Sequence, residues 1–498
     1  MGSWAGYLTR RPLLTITATA LALLAVIAAA CHYRGVCRYE QLMARWRQEG
    51  RMTTLDDLRS SAPATDDAAQ HALETALKHA SVPDPGLSEL FDRPEVHDYI
   101  LGRRSDLPSA LAPRFDPYDV DLAAIRIAIK ASGPMDAFSG RSEPEMDWDH
   151  PQYIQGQWVT PLQYLNTMRS AHYIRIASVR PPASWLRYRA LTSRDPAGEL
   201  ADLDRLVSIT SHPLSLDAHF IGADVARTRD LAYLEAACRG LLTGDQQQRW
   251  LDNDPDLLSR LADSHRGWRI SGVSSLADHL RSKPGDMSWR YPPRLSLPLL
   301  GGLEDVIGGG QLWLFGMDDC VVLEEAYAAV EDRLRGRRDD VEYRLVTPSR
   351  FRSPVAAAFG NLVESIQSTL QAQTFQREVR LAVRCLEMAR QRGHLPLDEQ
   401  DFIAQLPVHD ALADGKDRLL LRYEKLATDR FRITVDPQSP VPNYAAGDRL
   451  PMYSLLGKPS RPVKRDDGTL AIPLIAFPYH GILPLNIEVT LPARHANP

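Results

Sequence analysis

Cysteine is scarce. Five in 498 residues, none in a CxxC spacing, cannot build a disulfide framework. Cys238, Cys320 and Cys385 fall within helical patterns, where a thiol serves as a small apolar group. Cys31 and Cys37 flank the end of an apolar run, and an oxidising compartment would permit a bridge between them without requiring one. An excess of one charge is missing too. A net charge of −5 and a pI near 6.3 exclude a general polyanion binder, so no nucleic-acid partner is expected. The basic cluster Arg333 to Arg338 lies among Glu331, Asp332, Asp339 and Asp340 and reads as a solvated helix end.

The signatures of several chemistries are also absent. The chain has no GxSxG elbow, no GxxxxGK[ST] loop, no HExxH and no GxGxxG after a strand. Gly301-Gly302 and Gly308-Gly309-Gly310 make a glycine-rich patch, but no Lys-Ser/Thr follows to engage phosphate, and a turn is the simpler reading. Asp252, Asp254 and Asp256 imitate the start of a calcium loop without its glycine or terminal Glu; Asp254 before Pro255 reads instead as a helix cap. His71 and His79 share a helix but are too far apart for an i,i+4 zinc pair. No cofactor and no metal site are expected.

What is present first is an apolar run. Pro12 to Cys31 holds no charge and follows Arg10-Arg11, long enough as a helix to cross a ~30 Å hydrocarbon layer. A cleaved signal would have a shorter core of roughly 7–15 residues, although Ala28-Ala29-Ala30 before Cys31 leaves cleavage or lipid attachment open. An uncleaved single-pass anchor is the reading adopted. The many arginines after the run (Arg34, Arg38, Arg45, Arg47, Arg51) favour a cytoplasmic body by count. A short basic segment before an apolar run is how export signals begin, and an inner-membrane protein with a periplasmic body is expected.

The rest reads as mainly α, arranged as a helical-pair bundle or short irregular solenoid with a small β-containing end. The divisions drawn are an anchor (1–37), a helical region (38–132), an irregular acidic and aromatic loop (133–159), a helical-pair body (160–392) and a β-containing end (393–498). Arg38 to Gln48 reads as a separate amphipathic helix stopped by Gly50, a stalk or a segment lying along headgroups through Trp46 and the arginines. Thr53-Thr54 caps a short turn, and Pro181-Pro182 breaks the chain before a helix near Trp185–Leu191. Ser215 to Leu242 carries one apolar stripe and is ended by Gly244. Ser353 to Arg392 carries a longer stripe, opposite a Gln, Glu and Arg face, ended by Gly393. Ser282 to Gly316 is loop-like, and Glu304-Asp305 argue against a second span there. Leu419–Glu424 and Phe431–Val435 form a hairpin signal, with further strands at Leu470–Ile475 and Ile487–Leu491.

The chemically richest stretch is Glu143-Pro144-Glu145-Met146-Asp147-Trp148-Asp149-His150. Glu145, Asp147, Asp149 and His150 offer oxygen ligands for a hard cation, or a general acid and base flanking a sugar stacked on Trp148. Alternating acids on an exposed loop are more commonly solvated charge. The function expected is therefore a membrane-tethered protein that binds a protein partner or scaffolds a complex without catalysis. The rival is an envelope hydrolase acting on glycan or peptide through that loop.

Three stretches resemble uncharacterised single-span bacterial envelope proteins: GRMTTLDDLRSSAPATDDAAQHAL (Gly50–Leu73), the helical pairs of Leu162–Leu261, and RCLEMARQRGHLPLDEQDFIAQLP (Arg384–Pro407). HDALADGKDRLLLRYEKLATDRFRITV (His409–Val435) is similar to the carboxyl end of pseudopilin-like modules, with Gly393–Pro396 and Gly415-Lys416 in comparable places. The amino terminus lacks the Gly–aromatic–Thr–x–x–Glu processing signature of true pilins. The resemblance implies an envelope location and a helical fold. It carries a third expectation, an assembly component in which the Ser353–Arg392 helix packs on the Leu419–Val435 hairpin.

Overall fold

The computed structural model describes residues 12–61, 67–80, 94–100, 119–131, 152–154, 157–159, 179–210, 216–252, 256–284, 307–337, 362–406, 420–436 and 486–491, with short pieces elsewhere. The described chain is mainly helical, with a small sheet near the carboxyl end and one long apolar helix near the amino terminus. It folds as two compact units, each assembled from separated segments: 1–61, 143–168 and 265–362 in the first, 62–142, 169–264 and 363–498 in the second.

The first unit is organised on the helix Pro12–Gln48. It is one uninterrupted helix, where a break near residue 37 was expected. No Pro or Gly pair interrupts the hydrogen-bond ladder, and a single Gly35 is tolerated in a helix interior. Its leading half is the candidate membrane span, with Ile16, Leu21, Leu23, Leu24 and Val26 all exposed. Its trailing half is core: Tyr39, Leu42, Met43 and Trp46 are buried. A segment lying along headgroups is therefore excluded. Trp46 is sealed by packing, and the Arg269 guanidinium sits 4.8 Å from the ring centre. The helix ends at Gly50, whose φ of 71° only glycine adopts cheaply, with Arg51 N–H bonded to the Trp46 carbonyl.

Against this helix lies Met317–Leu334. The two run parallel and in step: Arg38 pairs with Asp318, Arg45 with Glu325 and Arg51 with Asp332. Close approach is permitted at Gly35, where an added Cβ would stand 2.7 Å from Met317 Cβ. The helix is preceded by a π-helical turn, Leu312–Gly316. A second π-helical turn, Arg269–Ser274, leads into Ser275–Ser282 and packs on Met317–Leu334. The expected solvated helix end at Arg333–Arg338 holds only in part. Glu331 and Asp332 are buried and paired with Arg335, Arg266, Arg51 and Arg337. The helix Leu55–Ser61 opens with a reciprocal cap, in which Asp57 N–H donates to Thr54 Oγ1 and Thr54 N–H to Asp57 Oδ2. The short strands Gln152–Ile154 and Gln157–Val159 pair antiparallel.

The second unit packs Arg180–Thr192 against both Pro196–Ile209 and Leu216–Arg239. Pro181-Pro182 occupy the first turn of Arg180–Thr192 rather than breaking the chain before it, because the first helical N–H groups need no partner. Asp195 caps the next helix by accepting from Gly198 N–H at 3.0 Å. Asp256 caps the helix that begins at Leu257, accepting from Ser259 N–H at 3.0 Å, while Asp254-Pro255 lie outside the described residues. Gly240, at φ 70°, rather than Gly244, ends Leu216–Arg239; Gly244 starts the next helix.

Both long helices were expected to bury one stripe, and both are buried almost all round. In Leu216–Arg239, small residues fill the gaps, and the polar groups bring partners with them. Arg187 makes a bidentate pair with Glu235, Arg229 pairs with Asp230 at 2.7 Å, and Tyr233 OH donates to Asp204 at 2.6 Å. Leu362–Arg392 likewise buries Thr369, Thr374, Gln376, Glu378 and Arg384. The sheet has strand order Leu421–Lys425, Arg430–Val435, Asn486–Thr490, Ile475–Ala476, all antiparallel. Tyr423 joins the hairpin to the end of the long helix, donating to the Pro396 carbonyl at 3.0 Å and hydrogen-bonding the Cys385 thiol. Contact of this kind is what an assembly component was expected to show. It is equally what any helix makes when it covers a small sheet, and it assigns no role.

Candidate functional site

The residues first singled out for chemistry, Glu145, Asp147, Asp149 and His150, lie outside the described residues, as do His409-Asp410 and His480. No group of three or more potential metal ligands occurs among the described residues. Cys31 and Cys37 are both free and half-buried, while Cys238, Cys320 and Cys385 are buried. Burial pushes the Cys238 thiol up to about 12, so it stays protonated and inert.

A different site emerges in the first unit, where three elements meet around Glu324. This carboxylate is wholly buried mid-helix. Arg269 Nη1 donates to its Oε2 at 3.1 Å, while Ser274 Oγ donates to Oε1 at 2.7 Å and Tyr39 OH reaches the same oxygen at 3.4 Å. Arg269 is equally buried, donates to the Met52 carbonyl at 2.8 Å and stacks on Trp46. Burial pushes the Glu324 carboxyl above its ordinary range, and the Arg269 charge pulls the other way. Nearby His265 is pushed down to about 3 by burial, so it is neutral at any ordinary pH, and it packs on Tyr327.

The π-helical turn makes this arrangement possible. Its wider winding shifts the side-chain register between Leu257–Trp268 and Ser275–Ser282, so Arg269 and Ser274 both reach Glu324. Such turns cost backbone geometry and recur at functional sites. The carboxylate is already satisfied by an arginine and two hydroxyls. It is therefore a positioned strut, not a base with a free lone pair facing a nucleophile.

Tyr39 and Ser274 also line an adjoining cleft of about 610 Å³, within the size range of small-ligand and peptide sites. Glu40, Met43 and Arg47 of the long helix form one wall, and Ser275, Asp278 and Arg281 another. The lining charges nearly cancel. Arg281 lies 3.4 Å from Asp278 and 3.8 Å from Glu40, and Arg47 donates to Thr53 Oγ1. Mixed charge and several hydroxyls, set in a lining that is polar and apolar in near-equal parts, suit an extended peptide-like ligand better than a phosphate or a lipid tail.

Sequence reading missed this site, yet one signal was present. Met317, Cys320, Val321, Tyr327 and Ala328 recur around Glu324 at helical spacing, so Glu324 stands on the apolar face of its own helix. A carboxylate flanked by apolar residues on such a face implies a buried partner. Nothing in the sequence identifies Arg269 as that partner. Comparison with known protein families, with curated proteins and with solved structures finds no match for this chain.

Proposed function

We propose that the chain is a membrane-tethered binding protein, non-catalytic, that holds an extended polar segment of a protein partner in the cleft between Tyr39 and Arg281. The observation that carries this reading is the continuity of Pro12–Gln48: the helix apolar enough to cross a membrane is also a wall of the cleft. No flexible joint separates them, so a bound partner is held at a fixed height above the bilayer. The balanced lining supports a polypeptide, whose backbone amides and mixed side chains match alternating donors and acceptors. The basic residues ahead of the apolar run support insertion in a bacterial inner membrane with the body exported to the periplasm.

A photo-crosslinking amino acid at Asp278, whose side chain is exposed at the cleft rim, tests the reading in intact membranes. A discrete adduct with one protein is expected, and Ser275→Trp, which fills the cleft from a half-exposed position, should abolish it. Absence of an adduct, or one indifferent to Ser275→Trp, defeats the proposal. A carboxyl-terminal reporter active only in the cytoplasm defeats the assigned compartment.

A further inference from the structure

The span has a neighbour. Because Pro12–Gln48 and Met317–Leu334 run parallel and in step, residues before Met317 extend back alongside the apolar half of the first helix. The chain is helical from Ile307, and the π-helical turn Leu312–Gly316 packs on Pro12–Gln48. At 1.5 Å per residue, and less through the π-helical turn, Trp313 stands at most about 6 Å and Ile307 at most about 15 Å beyond the Gly35–Met317 crossing. That puts Trp313 level with Cys31 and Ile307 level with Ala25, inside the uncharged run. The charge pattern agrees. Arg38 and Asp318 pair at 2.5 Å, and behind that pair neither helix carries an acid, Lys or Arg except Arg34, back to Pro12 on one and Val306 on the other.

The exposed positions of this segment, Ile307, Gly310, Gln311 and Trp313, are all uncharged, and the two large ones are apolar. Ile307 is 53% and Trp313 37% exposed, while Gly308, Leu312 and Gly316 are buried. Three glycines, Gly308 to Gly310, stand in the helix at a cost of roughly 1 kcal/mol each in water relative to Ala. No close approach explains Gly310, since an added Cβ there would meet nothing within 4 Å. Glycine is more frequent in helices shielded from water by lipid, where the solvent cannot compete for the backbone. A twelve-residue uncharged stretch, Val306–Met317, is too short to span but suits an interfacial segment, and tryptophan favours the headgroup boundary.

We propose that Ile307–Gly316 is a second membrane-contacting element, seated in the bilayer interface beside the tether, with Ile307 and Trp313 against lipid. The inference rests on the tether crossing the membrane. Seated this way, the segment would fix the rotation of the tether helix about its axis, and so the direction in which the cleft opens.

The full chain, with Cys31 and Cys37 replaced by serine, is labelled with nitrobenzoxadiazole at one introduced cysteine. It is then reconstituted in phosphatidylcholine–phosphatidylglycerol vesicles, with or without bromine on acyl carbons 6 and 7. Labels are placed by Trp313→Cys, by Ile307→Cys as an independent variant should the first misfold, by Leu23→Cys in the span, and by Arg337→Cys at the far end of the parallel helix. Positions 313, 307 and 23 should lose emission to bromine, and 337 should not. If 23 is quenched while 313 and 307 behave like 337, the proposal fails and the tether stands. If 23 is not quenched either, both fall. Blue-shifted emission at 313 without quenching means that protein, a second copy or a partner, covers the face, and overturns the proposal.

Discussion

Arg269→Met separates the buried pair that ties three elements of the first unit together. The change keeps most of the aliphatic stem against Trp46 and removes the charge, leaving Glu324 fully buried with only Ser274 and Tyr39 as donors. Breaking a buried pair from one side costs about 3–5 kcal/mol at neutral pH, most of it the penalty of an uncompensated charge. The sign with pH follows. Without Arg269 the Glu324 carboxyl rises further above its unfolded value, so the folded state holds the extra proton. The deficit is then small below the ordinary Glu range and grows as pH rises through it. Arg269→Met/Glu324→Gln removes the charge altogether and keeps an acceptor for both hydroxyls. Its deficit should shrink to about 1–2 kcal/mol, the loss of the bond to the Met52 carbonyl. Hydrogen exchange of peptides covering 37–48 and 269–282, measured on the full chain in detergent at pH 5 and pH 8, reads local opening free energies in this unit. Equal losses in the single and double variants, or a single-variant deficit that does not grow with pH, would refute the reasoning.

Two further outcomes follow from single contacts. Gly35→Ala puts a Cβ 2.7 Å from Met317 Cβ and 3.2 Å from the Asp318 backbone nitrogen, so the parallel helices must move apart; about 1–3 kcal/mol of stability should be lost, and Met317→Ala in the same chain should restore part of it, both by urea denaturation. Among the described residues Glu378 finds no hydrogen-bond partner, and burial holds its carboxyl well above the ordinary range. Its folded form therefore retains a proton that the unfolded chain releases, and stability declines as pH rises through the ordinary Glu range. Glu378→Met should raise stability by about 1–3 kcal/mol near neutral pH and flatten that decline; a destabilised variant would mean that Glu378 has a partner.

The sequence by itself determined the local elements. The uncharged run from Pro12, the cap at Thr54, the stops at Gly50 and Gly393 and the hairpin near Leu421 all follow from signals a few residues wide, because helix ends, turns and amphipathic faces are short-range matters. Tertiary structure decided what those elements meet. Leu216–Arg239 reads as half-exposed and is buried because Arg187 arrives with a guanidinium for Glu235 from another helix. Arg38–Gln48 reads as a stalk, and its Tyr39, Leu42, Met43 and Trp46 face is core because Met317–Leu334 packs on this helix. The cleft likewise draws on positions more than two hundred residues apart, brought together by the Glu324 network. Short-range rules carry no information about which distant charge neutralises which. Only the folded chain, by excluding water from Glu324 and Arg269 together, makes that choice.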